Sequence, residues 1–423
     1  MSRKPYNWKN GPDLIQPHSI AKHRILQSYL AAYFQTLVSS PNQDVLRLTL
    51  VDGFAGGGQY VHSDTGELVK GSPFIFLDAT READFLINQG RRKPVDLKVD
   101  YFFIEADRYA HAHLDKVLRE EGHGGHIGNN IQLRHAKFQD EADDIIDFIK
   151  RKSPKNGRSI FALDQYGYKD IPAPLVRKIF AQLPSAEVIL TFGVDSFLNF
   201  AGVGELTQSL LDEIGIPDIL QGRSIDEIKN SEKDWRLFIQ SGLYRSLVNR
   251  CGAKYYTPFF IRNKKGHGDY WLIHLSQHHR ARDVMTEVHW NNNNYFIHYG
   301  GPGLEMFQMV GYDPDHDDER KGQTCLGFEF DDVARKASIA ALNEQIPRLV
   351  YANAEGLSFG ELFATTCNES PASAIIYRDS LGQQLEGRVV EIISPEGVKR
   401  RSAQQIKSSD QIIAPPQRSL FFP

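Results

Sequence analysis

Strand-like and helix-like patterns alternate five times between residues 45 and 197. The connections between them are short, so the alternation predicts an α/β fold with a Rossmann-like, doubly wound parallel sheet. Two further strand patterns at 254–277, joined by a glycine-containing turn, predict a terminal antiparallel hairpin. The predicted strands are the following: 45–51, 95–107, 131–138, 158–172 and 186–197.

Pattern changes along the chain predict two domains. An α/β domain is expected at 1–305, with a helical insert at about 200–250, followed by a polar linker at 306–327. In residues 328–423, helix, short helix, turn, helix and β-ribbon follow in the order of a winged helix-turn-helix. The capping box Ser358-x-x-Glu361 and the helix start Ser370-Pro371 support this order.

Composition restricts the cellular compartment of the protein more than it restricts the function. The formal net charge of -4 argues against a uniformly basic surface, although a local basic patch can be hidden in the sum. Three cysteines, at 251, 325 and 367, lie far apart and predict no disulfide framework. The N-terminus lacks the apolar core of a signal peptide, and no apolar run approaches a bilayer span. We therefore expect a cytoplasmic protein with no membrane partner.

The first strand ends in an acid and then a glycine-rich loop, "VDGFAGGG", which contains Asp52, Phe54, Gly56 and Gly58. In open α/β sheets, ligands bind at the carboxyl ends of the strands, and glycines let the backbone approach them closely. The phosphate-binding pattern GxxxxGK[ST] is absent. A NAD site would more usually open a helix directly, whereas twelve residues (59–70) separate this loop from the helix start Ser72-Pro73. We expect an adenosine-containing cofactor here.

The second strand also ends in acids, in "FFIEAD". A carboxylate at this place accepts both ribose hydroxyls and disfavours a 2′-phosphate. Glu105 follows directly on the apolar run and is the better candidate, while Asp107 could instead cap the next helix.

The spacing D-x-F-x-G-x-G, followed by strands ending in Glu and in Asp, resembles class I S-adenosylmethionine-dependent methyltransferases, whose sheet also ends in such a hairpin. More narrowly, the chain resembles the three-Cys-motif partner protein family, which is bacterial or archaeal and often encoded beside a radical-SAM-type three-cysteine protein. The resemblance extends over nearly the whole chain. Its pieces are "HSIAKHRILQSYL", "VDGFAGGG", "KGSPFIFL", "FFIEAD", "FALDQYGY", the 255–285 hairpin region and "PPQRSLF".

The resemblance implies S-adenosylmethionine as cofactor, with Asp52, Gly56 and Gly58 under its methionine part. It also implies that Glu105 binds the ribose. The stretch Ala136-Lys137-Phe138 would flank the adenine.

Asp164-Gln165-Tyr166-Gly167 occupies the place of the [D/N]-P-P-[Y/F] tetrad of amino-methyltransferases. Asp164 would orient the target amine, and Tyr166 would stack on a flipped base. Neither proline of the tetrad is present, which predicts a different local backbone.

In the C-terminal domain, Arg378 on the presumed recognition helix and Lys399, Arg400 and Arg401 on the wing are predicted to contact phosphates. Nearby acids dilute this positive charge, so docking of a partner protein is the alternative: Asp379, Glu386, Glu391 and Glu396.

Other polar clusters predict no chemistry. His18, Lys22 and Tyr29 are expected on a solvated helix face, with closure over the cofactor as the alternative, and "HHRAR" (278–282) is expected to start a helix with a solvated cationic face. No metal is expected, since the histidines match no ligand spacing: His123, His126, His274, His278 and His279.

Together these features predict an S-adenosylmethionine-dependent methyltransferase acting on nucleic acid. A non-catalytic adaptor that docks a partner protein and an enzyme using another adenosine compound are the alternatives.

Overall fold

The computed structural model describes most of the 423-residue chain. The described residues are 6–15, 17–38, 43–167, 169–193, 206–220, 222–231, 242, 245–261, 270–292, 296–298, 302–304 and 328–416. The chain separates into two compact units, Met1–Phe296 and Ile297–Pro423. The linker predicted at 306–327 lies outside the described residues.

The first unit is built on one large sheet. Its strands are β2 (Val45–Asp52), β5 (Asp96–Ile104), β6 (Ile131–Arg134), β7 (Ser159–Leu163), β8 (Ala186–Gly193), β9 (Tyr255–Ile261) and β10 (Tyr270–Ser276). They lie in the order β6-β5-β2-β7-β8-β10-β9. Strands β6, β5, β2, β7 and β8 pair in parallel, and β10 is antiparallel to both β8 and β9. The predicted parallel sheet with a terminal hairpin is confirmed.

The central strands are buried along their length. Every residue of β7 and β8 is buried. Because successive side chains point to opposite faces, such strands need helices on both faces of the sheet. The covering helices are α1 (Pro17–Leu37), α2 (Ser72–Asn88), α3 (Arg108–Glu120), α4 (Phe138–Lys152), α5 (Ala173–Gln182) and α6 (His279–Asn292). Helix α1 packs against α2 and α6, and α4 packs against α5.

A second, smaller sheet lies beside the glycine-rich loop. It consists of β1 (Leu14–Ile15), β3 (Gln59–His62) and β4 (Leu68–Lys70), in the order β1-β3-β4. The β1–β3 pair is parallel and the β3–β4 pair is antiparallel. The twelve residues between the glycines and α2 therefore form a hairpin that joins the N-terminal segment.

Several predicted boundaries shift. Gly71, not Ser72, is the N-cap of α2, and Ser72 is its first helical residue. In the predicted insert, Leu206–Glu213, Ile225–Ser231 and residues 245–251 are helical.

The second unit contains α7 (Asp332–Tyr351), α8 (Phe359–Thr366) and α9 (Ala374–Glu386). Its strands are β11 (Phe296–His298), paired with β12 (Phe328–Glu329), and the three-stranded sheet of β13 (Leu357–Ser358), β15 (Gln411–Ile413) and β14 (Glu391–Ile393). The capping box between Ser358 and Glu361 is present. Helix α9 has Ser373 as its N-cap, three residues after the start predicted at Ser370. Helices followed by a β-ribbon confirm the winged helix-turn-helix architecture.

Among the described residues, no helix combines the length and the apolar character that a membrane crossing requires.

Candidate functional site

Three carboxylates lie at the carboxyl edge of the large sheet. Asp52 ends β2, Glu105 follows β5, and Asp164 follows β7. These strands are neighbours, with β2 between β5 and β7. The chain runs from β2 outward to β5 and β6 and then crosses back to β7, so the strand order reverses beside β2. Ligands of open α/β sheets bind at such a reversal point.

The glycine-rich loop is tied to both neighbouring strands. The Gly53 N–H donates to the Ala162 carbonyl at 2.9 Å, and the Ala55 N–H donates to the Ile104 carbonyl at 3.0 Å. Gly56 and Gly58 have φ angles of 58° and 80°, in the left-handed region that glycine adopts most readily. The loop therefore needs glycine for its backbone as well as for space.

Glu105 and Asp107 divide their roles as their positions suggest. Asp107 is the N-cap of α3 and accepts hydrogen bonds from the N–H groups of Tyr109 and Ala110, both at 2.8 Å. Glu105 accepts one backbone N–H on each oxygen, from Gly56 at 2.8 Å and from Asp107 at 2.7 Å. Burial raises the pKa of Glu105, partly offset by these bonds. Glu105 is thus the carboxylate that faces the glycine loop.

Asp52 is the most deeply buried carboxylate of the site, with 1% exposure. Its Oδ1 accepts the Phe54 N–H at 3.2 Å, and its Oδ2 has no hydrogen-bond partner among the described residues. Burial raises the pKa of Asp52 to about 7, although Ser72 and the Phe54 N–H act to lower it. Ser72 makes no hydrogen bond to Oδ2, so this oxygen can accept from a cationic ligand group, which would restore the ionised form.

Asp164 is held by Lys22 of α1. The Lys22 ammonium donates to both carboxylate oxygens. Burial would raise the pKa of Asp164, but the charge and hydrogen bonds of Lys22, with a bond from Thr191, lower it. The Lys22 side chain is only 11% exposed. The solvated position predicted for Lys22 is therefore wrong, because α1 covers this edge of the sheet.

The other residues of the predicted tetrad separate. Gln165 is 1% exposed, and its Oε1 accepts the Ile171 N–H at 3.1 Å. Tyr166 is 46% exposed. The Gly167 carbonyl accepts the Gly193 N–H at 2.9 Å and so links the segment to the end of β8. Asp164 is thus partly exposed and held by Lys22, whereas Gln165 is buried and Tyr166 is exposed.

The predicted adenine flank is only partly at the surface. Lys137 is exposed and is the N-cap of α4, whereas Phe138 is 1% exposed. The Phe138 ring packs edge-on against Phe161, and a β-carbon on Gly53 would lie 3.1 Å from it. Phe138 therefore supports the glycine loop from the core. Phe54 is partly exposed within the loop itself.

The solvated position predicted for Tyr29 is also wrong. Tyr29 is fully buried and donates a hydrogen bond to Glu187, which also contacts His274 Nε2 at 2.9 Å. In "HHRAR" the helix start is confirmed at His279, and His278 and Arg280 are exposed as predicted, but Arg282 is 1% exposed. Helical periodicity in the sequence did not reveal that α1 and α6 pack against each other. The side chain of His18 lies outside the described residues.

The histidines do not form a metal site in the part of the chain that the structure describes. His123 and His126 have ring centroids 6.3 Å apart, and those of His278 and His279 are stacked at 4.6 Å. No described cluster of three or more His, Cys, Asp or Glu residues could hold a metal ion.

Sequence reasoning missed two aromatic residues at the loop. Trp8 and Tyr60 are 6% and 9% exposed, and their ring centroids lie 5.1 Å apart. A β-carbon on Gly57 would overlap the Trp8 ring, and one on Gly56 would overlap the Tyr60 hydroxyl. In the sequence, "QY" at 59–60 directly follows the glycines, whereas "YNW" at 6–8 lies far from them, so only Tyr60 carries a local signal. The bare backbone of the loop receives these rings.

The site meets the chemical requirements of S-adenosylmethionine but does not offer the space. The unpaired Asp52 oxygen suits an ammonium group, and Glu105 retains acceptor lone pairs for hydroxyls. However, the cavity beside Asp52, lined also by Lys22, His23, Ser72 and Asp164, has a volume of about 40 Å³. Sites for ligands of drug-like size measure roughly 300–1,000 Å³.

The four basic residues predicted to contact phosphates are mostly engaged within the second unit. Arg378 lies over the Phe359 ring and donates to the Ile406 carbonyl at 3.2 Å. Arg400 forms a two-bond pair with Asp410, at 2.7 and 2.9 Å. Lys399 pairs with Glu391 at 2.7 Å. Arg401 is exposed. Arg378 and Arg400 are thus engaged within the second unit, and phosphate contacts by these four residues remain a prediction.

Comparison with known proteins identifies the second unit more clearly than the first. A family model described as a GMT-like wHTH domain matches residues 311–397. No curated protein matches the chain.

Three solved structures are similar at low identity. A Legionella pneumophila protein is 8% identical, with 60% of this chain and 85% of its own covered and a TM-score of 0.34. An inferred S-adenosyl-L-methionine-dependent methyltransferase from Methanococcus maripaludis is 12% identical, with 66% and 97% covered and a TM-score of 0.26. A geranyl diphosphate methyltransferase, solved with GPP and sinefungin, is 11% identical, with 58% and 78% covered and a TM-score of 0.21. At such low TM-scores we transfer no residue roles from these structures.

Proposed function

We propose that the protein is an S-adenosylmethionine-dependent methyltransferase. The observation that carries the proposal is the sheet order β6-β5-β2-β7-β8-β10-β9 with an antiparallel β10. This order places the ends of β2, β5 and β7 side by side, and each end carries a carboxylate. The motif resemblance to the three-Cys-motif partner family supports the same proposal, and so does the glycine loop at the reversal point.

Different residues would bind different groups of the cofactor. Asp52 would pair with its amino group, Glu105 would accept the ribose hydroxyls, and the backbone of Gly56 and Gly58 would lie against it. When bound, the cofactor supplies an activated methyl group. The protein's own contribution is to orient the acceptor and exclude water, which is where most of the rate gain of such a transfer arises.

Asp164 and Tyr166 would hold the acceptor. We propose that the methyl acceptor is an amine of a nucleic-acid base. Asp164 is a hydrogen-bond acceptor at the edge of the sheet, and Tyr166 presents an exposed aromatic side chain for stacking. For an acceptor to reach Asp164, it must share or displace the Lys22 ammonium. Nucleic acid would then contact the first unit rather than depend on Arg378 or Arg400.

Calorimetry with S-adenosylmethionine and S-adenosylhomocysteine tests the cofactor assignment. We expect the wild type to bind both, and Glu105→Gln to bind at least about tenfold more weakly because it loses charge-assisted bonds. Asp144→Asn, which changes an exposed acid on α4, serves as the matched control and should bind like the wild type. Absence of binding between pH 6 and 9, both by the wild type and by the Trp8 variants introduced below, refutes the proposal.

Methyl transfer from labelled cofactor to DNA, RNA and protein fractions tests the acceptor. Tyr166→Ala should reduce transfer to nucleic acid much more than Tyr166→Phe does, because phenylalanine retains the stacking face. Labelling of protein alone would exclude the nucleic-acid acceptor.

The second candidate function is a non-catalytic adaptor. It is favoured by the charge of the second unit, where residues 328–416 contain nine Lys and Arg against twelve Asp and Glu. A net negative unit is a poor fit to a polyanion. Cofactor binding without methyl transfer to any fraction would support the adaptor. Its proposed partner is a radical-SAM-type three-cysteine protein, and we propose a cytoplasmic location for the protein.

A further inference from the structure

We propose that Trp8 and Tyr60 form a closed aromatic cover over the glycine loop, and that the cofactor reaches Asp52 and Glu105 only when this cover opens. The inference rests on the proposed function. It assigns a role to the N-terminal segment at 6–15 and to the hairpin at 59–70.

The cover lies directly on the loop backbone. The Trp8 ring occupies the space that a side chain on Gly57 would fill, and the Tyr60 hydroxyl occupies the corresponding space at Gly56. His113 contacts the Gly57 carbonyl through Nδ1 at 2.8 Å, and its ring centroid is 5.3 Å from that of Trp8. The surface that a cofactor would use is therefore covered by the protein's own rings.

Tyr60 lies between the glycine loop and the cavity beside Asp52. Its hydroxyl occupies the space that a side chain on Gly56 would fill, and Glu105 accepts the Gly56 N–H at 2.8 Å. The Tyr60 ring centroid is 6.3 Å from that of His23, which lines the cavity. Burial raises the pKa of Tyr60 well above the ordinary value.

The cover is attached in a way that allows it to open separately. Trp8 and Tyr60 belong to a small apolar cluster with Ile15 and Ala110. The segment is held to β3 by a two-residue strand and by the Val61 N–H, which donates to the Asp13 carbonyl at 2.9 Å. Small peripheral clusters with few backbone bonds open at lower free energy than the main core.

Opening also resolves the shortage of space beside Asp52. The closed cavity of about 40 Å³ cannot hold a nucleoside-sized ligand. Moving the two rings would expose the backbone of Gly56 and Gly57 and leave open space beside His23, a residue of the cavity wall. The measured affinity is then lower than the intrinsic one by the fraction of molecules that are open.

Two variants of Trp8 test the cover by calorimetry with S-adenosylhomocysteine. Trp8→Ala removes the larger ring, and we expect it to bind about tenfold more tightly than the wild type because the open fraction rises. Trp8→Phe keeps a smaller ring on Gly57, and its affinity should lie between those of the wild type and Trp8→Ala. If the alanine variant does not fold, as judged by circular dichroism, the phenylalanine variant must show the same direction.

The fluorescence of Trp8 gives a second measurement. It is obtained by subtracting the fluorescence of Trp8→Phe from that of the wild type. Saturating S-adenosylhomocysteine should make Trp8 more accessible to acrylamide. Binding by the wild type with Trp8 still shielded, and with equal affinity in the variants, overturns the cover and leaves the proposed function intact. Absence of binding in the wild type and in both variants instead refutes the proposed function.

Discussion

Asp52 is the residue at which burial and function conflict most. Its carboxyl group is 1% exposed, and one oxygen has no hydrogen-bond partner among the described residues. In a folded protein without a ligand, such a group is better protonated than charged. Under the proposed function, the amino group of the cofactor would reverse that preference, and binding would be coupled to ionisation of Asp52.

The stability of the protein should therefore depend on Asp52 between about pH 4 and pH 7. The pKa is about 7 in the folded chain against an ordinary 3.8, so the folded state keeps a proton that the unfolded state has lost. The free energy of unfolding then falls as pH rises through this window, by about 1.4 kcal/mol per pKa unit.

Asp52→Asn should remove this dependence and be more stable than the wild type at pH 8, although not at pH 4. Urea unfolding at both pH values measures the difference, with Asp144→Asn as the control. An Asp52→Asn variant that follows the wild-type pH profile would show that Asp52 remains ionised when buried.

The pair of Lys22 and Asp164 predicts a strong coupling. The Lys22 side chain is 11% exposed and that of Asp164 is 39% exposed, so the pair is partly screened. Lys22→Met or Asp164→Asn alone should destabilise the fold by about 1–3 kcal/mol, because each leaves the other charge without its partner.

The double variant should lose less than the sum of the two single changes, since neither charge remains. Thermal unfolding of the four proteins measures this cycle. Strict additivity would mean that the two groups do not interact in solution.

At the scale of elements, the glycine loop and the N-terminal segment fit each other. A side chain on Gly57 would overlap Trp8, whereas nothing lies within 4 Å of the same position on Gly125. Neither glycine has a positive φ, so the two differ in space and not in backbone strain.

Gly57→Ala should therefore displace Trp8 and destabilise the protein by about 1–3 kcal/mol. Gly125→Ala should be neutral or slightly stabilising, because it only restricts the unfolded chain. Thermal unfolding together with acrylamide quenching checks both. Unchanged Trp8 shielding in Gly57→Ala would contradict the contact.

The elements that sequence predicted are those with a clear period and a marked end. The strands at Val45–Asp52 and Asp96–Ile104 are long, apolar and followed by acids. The sheet, and the positions of Asp52, Glu105 and Asp164 at its strand ends, can therefore be predicted from the sequence. Strands of two to four residues, such as β1 and β3, have no period to detect.

The contacts of Lys22 and Tyr29 could not be predicted for a different reason. Helical periodicity indicates which residues share a face of α1, and Lys22 and Tyr29 share one. It does not indicate that this face packs on the sheet edge and on α6. The sequence therefore predicts a solvated Lys22, although its side chain is mostly buried.

At the scale of the whole molecule, the second unit uses its basic residues internally. Asp410 is fully buried and its pKa is lowered by the bond from Arg400. Arg335 likewise pairs with Asp379, one residue after Arg378 on α9. Such pairs hold the wing and helices together, and each of them neutralises a positive charge that a polyanion could otherwise use.

Arg400→Gln should lower the unfolding temperature of the second unit, because the Asp410 carboxylate loses its partner. Arg401→Gln changes an exposed neighbour and should unfold like the wild type. Differential scanning calorimetry of the full chain checks this, with nucleic-acid binding measured at two salt concentrations. A folded Arg400→Gln protein that loses salt-dependent binding would instead place Arg400 on phosphate.

The place of β10 between β8 and β9 has a consequence for synthesis. Strand β8 is buried along its whole length, and one of its two edges is completed only by β10, which lies beyond the helical insert. Until β10 has been made, that edge presents unpaired backbone groups along an apolar strand, the kind of surface that associates with other chains. A fragment that ends before residue 270 should therefore aggregate, whereas a fragment that includes β10 can close the sheet.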